Sequence, residues 1–202
     1  RVDASPEWQE LLSGERPLVA KGFDPTEAVP AVFPGAFNPL HQGHLDMASA
    51  AERLLGKPLV FELSISNVDK PPLDFLTIDE RVRQFGELPV ALTRAATFVE
   101  KSALFPDATF VVGADTILRI GDSRYYGDDP NSRDAALDLL AHQGARFLVF
   151  GRHRNGSFET LAHLELPMRL RQRCVEVPEE EFRHDVSSTQ LRNQPDQPDQ
   201  RG

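Results

Sequence analysis

Apolar residues along this chain fall into two patterns that take turns. Four runs, AVF at 31–33, LVFELSI at 59–65, TFVV at 109–112 and RFLVF at 146–150, are almost continuously apolar. Strands covered on both faces read this way, whereas strands with one wet face alternate. Between the runs lie segments with helical spacing. Gln42 to Leu55 is Ala-rich and closed by Gly56, Lys57 and Pro58, and Thr77 to Phe85 has Thr77 as N-cap with Glu80 in the capping-box position. A helical turn is predicted at Glu100 to Leu104, and helices at Ala114 to Ile120, at Ser132 to His142 ahead of Gly144, and at Ser187 to Asn193. Val90 to Leu92 and Arg173 to Val177 complete the predicted strands, and the Pro-rich, charged stretch from Asn67 to Phe75 reads as a loop.

Strands that alternate with helices imply βαβ crossovers, a mostly parallel sheet and a three-layer α/β domain. Residues 30–193 carry that pattern. Residues 1–29 read as an extension without an assignable role, irregular apart from a short amphipathic stretch around Trp8 to Leu12, and the low-complexity tail QPDQPDQRG over 194–202 is expected to be disordered. The chain has 202 residues, enough for one substantial core, and it starts at Arg1, as expected of an excised piece of something longer.

Composition narrows the possible partners. A net charge of −9 argues against a general nucleic-acid binder, which needs clustered Lys and Arg, but leaves room for a local basic pocket around a small anion. No apolar run approaches the roughly 20 residues of a membrane-spanning helix. The single cysteine, Cys174, rules out an internal disulfide framework and makes a reducing cytoplasm the expected compartment. Oligomeric state is not legible.

Two stretches carry chemistry. In AVFPGAFNPLHQGHLDMA, from Ala31 to Ala48, a strand ends in a glycine turn and feeds a helix, so several backbone N–H groups and the helix dipole converge on one point, which suits a phosphate. His41 and His44 are three apart and project from similar faces of the first helical turn. A plain pair of exposed histidines, or a metal pair for which no third ligand has suitable spacing, are the alternatives. In DVSSTQLR, from Asp185 to Arg192, Ser187 and Gln190 form a capping box; Ser188 and Thr189 add hydroxyls there, and Arg192 adds a fork-shaped cation suited to phosphate oxygens.

Together the two strings resemble the HxGH nucleotidyltransferase superfamily, also called cytidylyltransferase-like, and most of all the nicotinamide or nicotinate mononucleotide adenylyltransferases. FPGAFNPLHQGH is similar to their G-S-F-[DN]-P-x-H-x-G-H signature, VSSTQLR to their I-S-S-T-x-[IL]-R signature, and FVVGADTIL to the strand and G-A-D turn near the nucleotide ribose. The matches follow the family's order from Phe33 to Arg192. The resemblance implies a Rossmann-like fold and an enzyme that joins ATP or CTP to a small phosphorylated acceptor with release of pyrophosphate. Mg²⁺ would be held mainly by the substrate phosphates, with few protein ligands. Gly35, Ala36 and Phe37 would bring amides to the triphosphate, Ala36 standing where the family has serine. His41 and His44 would contact its phosphates, Ser188, Thr189 and Arg192 would hold its far end, and Gly113 with Asp115 would lie near the ribose. A buried Asp115 capping the following helix is the structural alternative. Lys70 and Arg81 become candidates for the acceptor's phosphate and its surroundings, although Arg81 can equally pair with Asp79 or Glu80.

The acceptor is less defined. The only Trp, Trp8, is far from the aromatic position that pyridine mononucleotide enzymes use after G-A-D; Tyr125 and Tyr126 lie in that region, either to stack on a base or to anchor their loop. GRHRNG sets Arg152, His153 and Arg154 on a loop after a strand, where they meet another phosphate or solvent. Three readings result: a mononucleotide adenylyltransferase that contributes to NAD biosynthesis, a cytidylyltransferase or pantetheine-phosphate adenylyltransferase, and a nucleotide-binding domain without turnover.

Overall fold

The computed structural model describes residues 5–66, 73–154 and 157–182. One seven-stranded sheet organises them, in the order β1-β4-β3-β2-β5-β6-β9. Its strands are β1 (Leu18–Lys21), β2 (Ala31–Pro34), β3 (Leu59–Ser64), β4 (Val90–Thr93), β5 (Thr109–Gly113), β6 (Arg146–Phe150) and β9 (Cys174–Glu176). All neighbours run parallel except β1, which pairs antiparallel with β4. Without β1 the order is that of a doubly wound dinucleotide-binding sheet, and it reverses between β2 and β5.

Helices cover both faces, as the continuous apolar runs require. Along the strands, Val32, Phe110, Val112, Phe147 and Val149 face one core layer. Their neighbours Ala31, Phe33, Phe61, Val111, Leu148 and Phe150 face the other, under Ala48 and Ala51 of α2 (Gln42–Leu55). Alternating side chains thus fill two layers from one strand. The bounds of α2 and β6 fall where the sequence puts them; α2 stops at Gly56, whose φ of +62° closes the helix in a left-handed turn.

Several expectations are corrected. The helix expected to open at Thr77 is α3 (Phe75–Arg83); Asp74 caps it, its carboxylate accepting from the Thr77 amide at 2.9 Å and from the Thr77 hydroxyl at 3.0 Å. A capping box appears instead at α4 (Phe98–Leu104), where Thr97 and Glu100 cap each other's amides. The 1–29 segment is more regular than expected: the amphipathic stretch around Trp8 to Leu12 lies in a helix, and an unexpected strand follows it. Here α1 (Pro6–Ser13) and β1 pack through Leu11 and Val19 onto Leu63, Ile78 and Leu92, a third core cluster at the sheet's edge. The GRHRNG stretch contributes β7 (Arg152–Arg154), which pairs with β8 (Ser157–Glu159) as a separate antiparallel ribbon rather than a loop. The remaining helices are α5 (Ala114–Gly121), α6 (Pro130–His142) and α7 (Met168–Arg171). The predicted helix at Ser187 to Asn193 and the tail lie outside the described residues.

Candidate functional site

In open α/β sheets, ligands bind beyond the carboxyl ends of the strands where the strand order reverses. Here that point lies between the ends of β2 and β5, and the segment from Pro34 to Gln42 occupies it. The Gly35 amide donates to the Glu62 carbonyl at 3.0 Å, fastening the turn to β3. Phe37 follows at φ +42°, an unusual backbone for a bulky residue. Its ring is 2% exposed and meets the edges of Phe33 and Phe85 at centroid distances of 5.4 and 5.3 Å. A Cβ at Gly35 would stand 2.6 Å from the tip of that ring, so the turn folds over its own phenylalanine and only glycine fits above it.

His41 and His44 open α2 directly behind the turn. Their rings stack at 3.7 Å with 25° between planes, and Phe37 meets His44 edge-on at 5.1 Å. Burial pushes the His44 pKa down to about 4, and the charge of neighbouring His41 adds to the effect. The ring is therefore neutral at pH 7. Because Nδ1 accepts the His41 amide at 3.3 Å, the proton sits on Nε2, which is left to donate. A fixed neutral donor beside freed amides at a helix N-terminus suits phosphate oxygens.

Adjoining the turn is a cleft of about 610 Å³, lined by Gly35, Ala36 and Asn38 and by groups from β3, α3, α4 and α5. Arg81 reaches it from α3 and donates to the Ala36 carbonyl at 3.2 Å, while Asp79 pairs with Arg83 instead. One wall is a buried network. Glu62, 0% exposed, accepts from Lys101 Nζ through both carboxylate oxygens at 2.9 and 2.8 Å, and from the Thr93 hydroxyl at 2.5 Å. Lys101 also donates to the Ala95 carbonyl at 2.7 Å.

Other predicted residues fall elsewhere. His41 and His44 lie beyond the cleft lining, at the start of α2. Asp115, in the first turn of α5 after Gly113, neither caps that helix nor is buried: it forms an ion pair with Arg152 and its side chain is 49% exposed. The Tyr126 hydroxyl donates to the Ile120 carbonyl and anchors its own turn, Tyr125 is exposed, and neither lines the cleft. Lys70, Ser188, Thr189 and Arg192 lie outside the described residues. No motif in the sequence singles out Glu62, Lys101 or Arg119, which also lines the cleft. For Glu62 a signal exists, since a carboxylate inside the run LVFELSI on a doubly covered strand must be buried and so needs a partner.

Known proteins resemble part of the chain. Phosphopantetheine adenylyltransferases of Limosilactobacillus fermentum and Limosilactobacillus reuteri are 31% and 35% identical over 102 and 89 residues, which is 48% and 44% of this chain. The chain spans about half the length of these relatives, 56% and 49%. The phosphopantetheine adenylyltransferase of Rhodospirillum rubrum is 32% identical over 140 residues, 61% of this chain and 77% of that protein. The model of the cytidylyltransferase-like family matches residues 32–194, from the first residues of the glycine-turn strand through the SSTQLR string, and the chain belongs to that family.

Proposed function

We propose that the chain transfers the adenylyl group of ATP to a small phosphate monoester and releases pyrophosphate. The observation that carries this reading is the pairing of a phosphate-type donor site with a second, basic cleft. The Gly35 amide is spent on the Glu62 carbonyl; the amides of Ala36 and Phe37 and the neutral, oriented His44 stand at the strand-order reversal, and the adjoining cleft holds Arg81. The first would take the triphosphate, with His41 beside His44. Ser188, Thr189 and Arg192 would hold its far end. The second would take the acceptor.

Such a reaction needs position and charge more than a nucleophilic side chain. An oxygen of the acceptor's phosphate forms the bond to the α-phosphorus while the bond from that phosphorus to the pyrophosphate oxygen breaks, and the leaving group carries away the negative charge. No proton has to be removed from the attacking group. Imidazole donors, freed amides and Arg192 meet the charge that grows on the pyrophosphate. Mg²⁺ would arrive on the triphosphate and neutralise part of its charge. Donors of the turn are N–H groups, which suit phosphate oxygens and leave the metal to the substrate.

Phosphopantetheine, the acceptor in the relatives' names, is the first to test; the G-A-D turn and SSTQLR favour pyridine mononucleotides as the second. The test is magnesium-dependent pyrophosphate release by the purified chain. ATP and CTP are each paired with phosphopantetheine, nicotinamide mononucleotide and nicotinate mononucleotide. Release with ATP and one acceptor is the expected result; nucleotide binding without release from any pair would overturn the enzymatic reading.

A further inference from the structure

The cleft beside the glycine turn holds five charged side chains among the described residues: Glu62, Asp74, Lys101, Arg81 and Arg119. Both carboxylates are already committed. Glu62 is saturated by Lys101 and Thr93, and Asp74 caps α3 through the Thr77 amide and hydroxyl. Lys101 is spent on Glu62 and the Ala95 carbonyl. Two guanidinium groups are left over. Among the described residues Arg81 donates to the Ala36 carbonyl and pairs with no carboxylate, and burial lowers its pKa. Arg119 has no carboxylate partner among the described residues. Elsewhere Arg16, Arg83, Arg124, Arg133, Arg152 and Arg169 each pair with an acid, whereas Arg94 and Arg171 donate to backbone carbonyls, so what distinguishes Arg81 and Arg119 is that both line one cleft. In a chain of net charge −9, two cations that pair with no carboxylate among the described residues, both in one cleft, mark a place built for an incoming anion.

The two arginines come from different helices, α3 after β3 and α5 after β5, which flank the strand that ends in the glycine turn. On α5, Thr116 is three residues before Arg119 and lines the same cleft, so the two side chains share a face of the helix. Ile65, Leu73 and Phe98 give the cleft an apolar part as well. A fitting ligand therefore has one anionic end and a largely uncharged body.

We propose that Arg119, with Thr116, is the second anchor of the acceptor's phosphate, opposite Arg81. This deepens the nucleotidyl-transfer reading and rests on it for the phosphate's role as attacking group; the binding of the phosphate itself does not depend on that reading. Guanidinium forks from two directions fix the orientation of a phosphate as well as its place, which in-line attack requires.

Two measurements on the whole chain test this. In the first, inorganic phosphate is titrated calorimetrically, with α,β-methylene-ATP present to fill the nucleotide site. Arg119→Met should weaken phosphate binding about tenfold or more, the scale of one lost charge-assisted contact, with Arg119→Lys recovering part of it. In the second, Arg119→Met should raise KM for the active acceptor while KM for ATP stays within about twofold. Unchanged phosphate affinity in Arg119→Met, or a rise confined to the KM for ATP, overturns the assignment while leaving nucleotidyl transfer standing. Phosphate binding lost in Arg119→Met, in a chain that releases no pyrophosphate from any pair, keeps the anchor and removes the enzymatic reading. A folded circular-dichroism spectrum for each variant excludes loss through unfolding.

Discussion

Replacing Lys101 by methionine strips the cleft wall of the ammonium that holds a carboxylate with 0% exposure. The Lys101 side chain is itself only 8% exposed, and it supplies two of the three hydrogen bonds that Glu62 accepts from side chains, at 2.9 and 2.8 Å. After the change Glu62 keeps the Thr93 hydroxyl alone, and the Ala95 carbonyl loses its 2.7 Å donor. Methionine matches the stem of lysine in shape, so the loss is electrostatic rather than a cavity. Breaking one half of a buried pair costs about 3–5 kcal/mol, because the survivor stays buried without compensation. That is a large part of the roughly 5–15 kcal/mol that keeps a domain folded, and at about 2–4 °C per kcal/mol for this size it lowers Tm by about 6–20 °C.

The assay is urea unfolding followed by fluorescence and circular dichroism, on the wild type, on Lys101→Met, on Glu62→Gln and on the double variant. Glu62→Gln with Lys101→Met removes both charges and keeps an acceptor for Thr93, so it should recover most of the loss and give a coupling of at least about 2 kcal/mol. A single Lys101→Met that costs under about 1 kcal/mol, or a double variant no more stable than the worse single, would refute the account of a buried, mutually dependent pair.

Within the glycine-turn site, His44→Ala should cut turnover by at least about a hundredfold, the scale of one donor lost from a charge-stabilising site, with the fold intact; near-normal turnover would remove His44 from the mechanism. His44 also predicts an acid limb of stability. Its folded pKa of about 4 lies below the ordinary 6.5, so between those values the unfolded chain holds a proton that the folded chain does not, and stability falls as pH drops through that window and levels off beneath it. Because the ring is only partly buried, the loss should total about 1–2 kcal/mol rather than the full shift. Denaturant midpoints for wild type and His44→Gln from pH 7 to pH 4 check this, and parallel profiles would count against it. Gly35→Ala forces a Cβ to within 2.6 Å of the Phe37 ring, so it should displace the turn and reduce triphosphate affinity more than overall stability; unchanged ATP affinity by calorimetry would show that the turn yields freely.

Where the sequence carried its signal locally, the fold was legible. Ala-rich spacing and Gly56 bound α2 at Gln42 and Leu55, and the run RFLVF is β6 residue for residue. Errors arise where two local signals compete or where the decisive partner is distant. Asp74 and Thr77 are both good N-caps, and the carboxylate wins because it accepts from the Thr77 amide and hydroxyl together. β1 is four residues, Leu-Val-Ala-Lys, and becomes a strand only by pairing with β4, more than sixty residues on; nothing in its own composition announces that. The β7–β8 ribbon did leave a mark, the Asn155-Gly156 dipeptide that favours hairpin turns, but charged flanks hid it.

The two halves of the candidate site divide along the same line. The triphosphate side is built from one contiguous segment, Phe33 to His44, because a glycine turn and the helix it feeds must be adjacent in the chain to converge their amides. The cleft side is assembled from Glu62, Arg81, Lys101 and Arg119, four residues on four elements that meet only because the sheet order sets β3, β4 and α5 around the end of β2. Taken one at a time, each looks like an ordinary charged residue. Their uneven pairing, with Glu62 and Lys101 locked together while Arg81 and Arg119 face the cleft without an acid among the described residues, exists only in three dimensions. Acceptor choice should therefore change through Arg81 and Arg119 while the glycine-turn segment stays the same. Exchanging them for the corresponding residues of a relative with a different acceptor should move acceptor preference and leave the affinity for ATP in place.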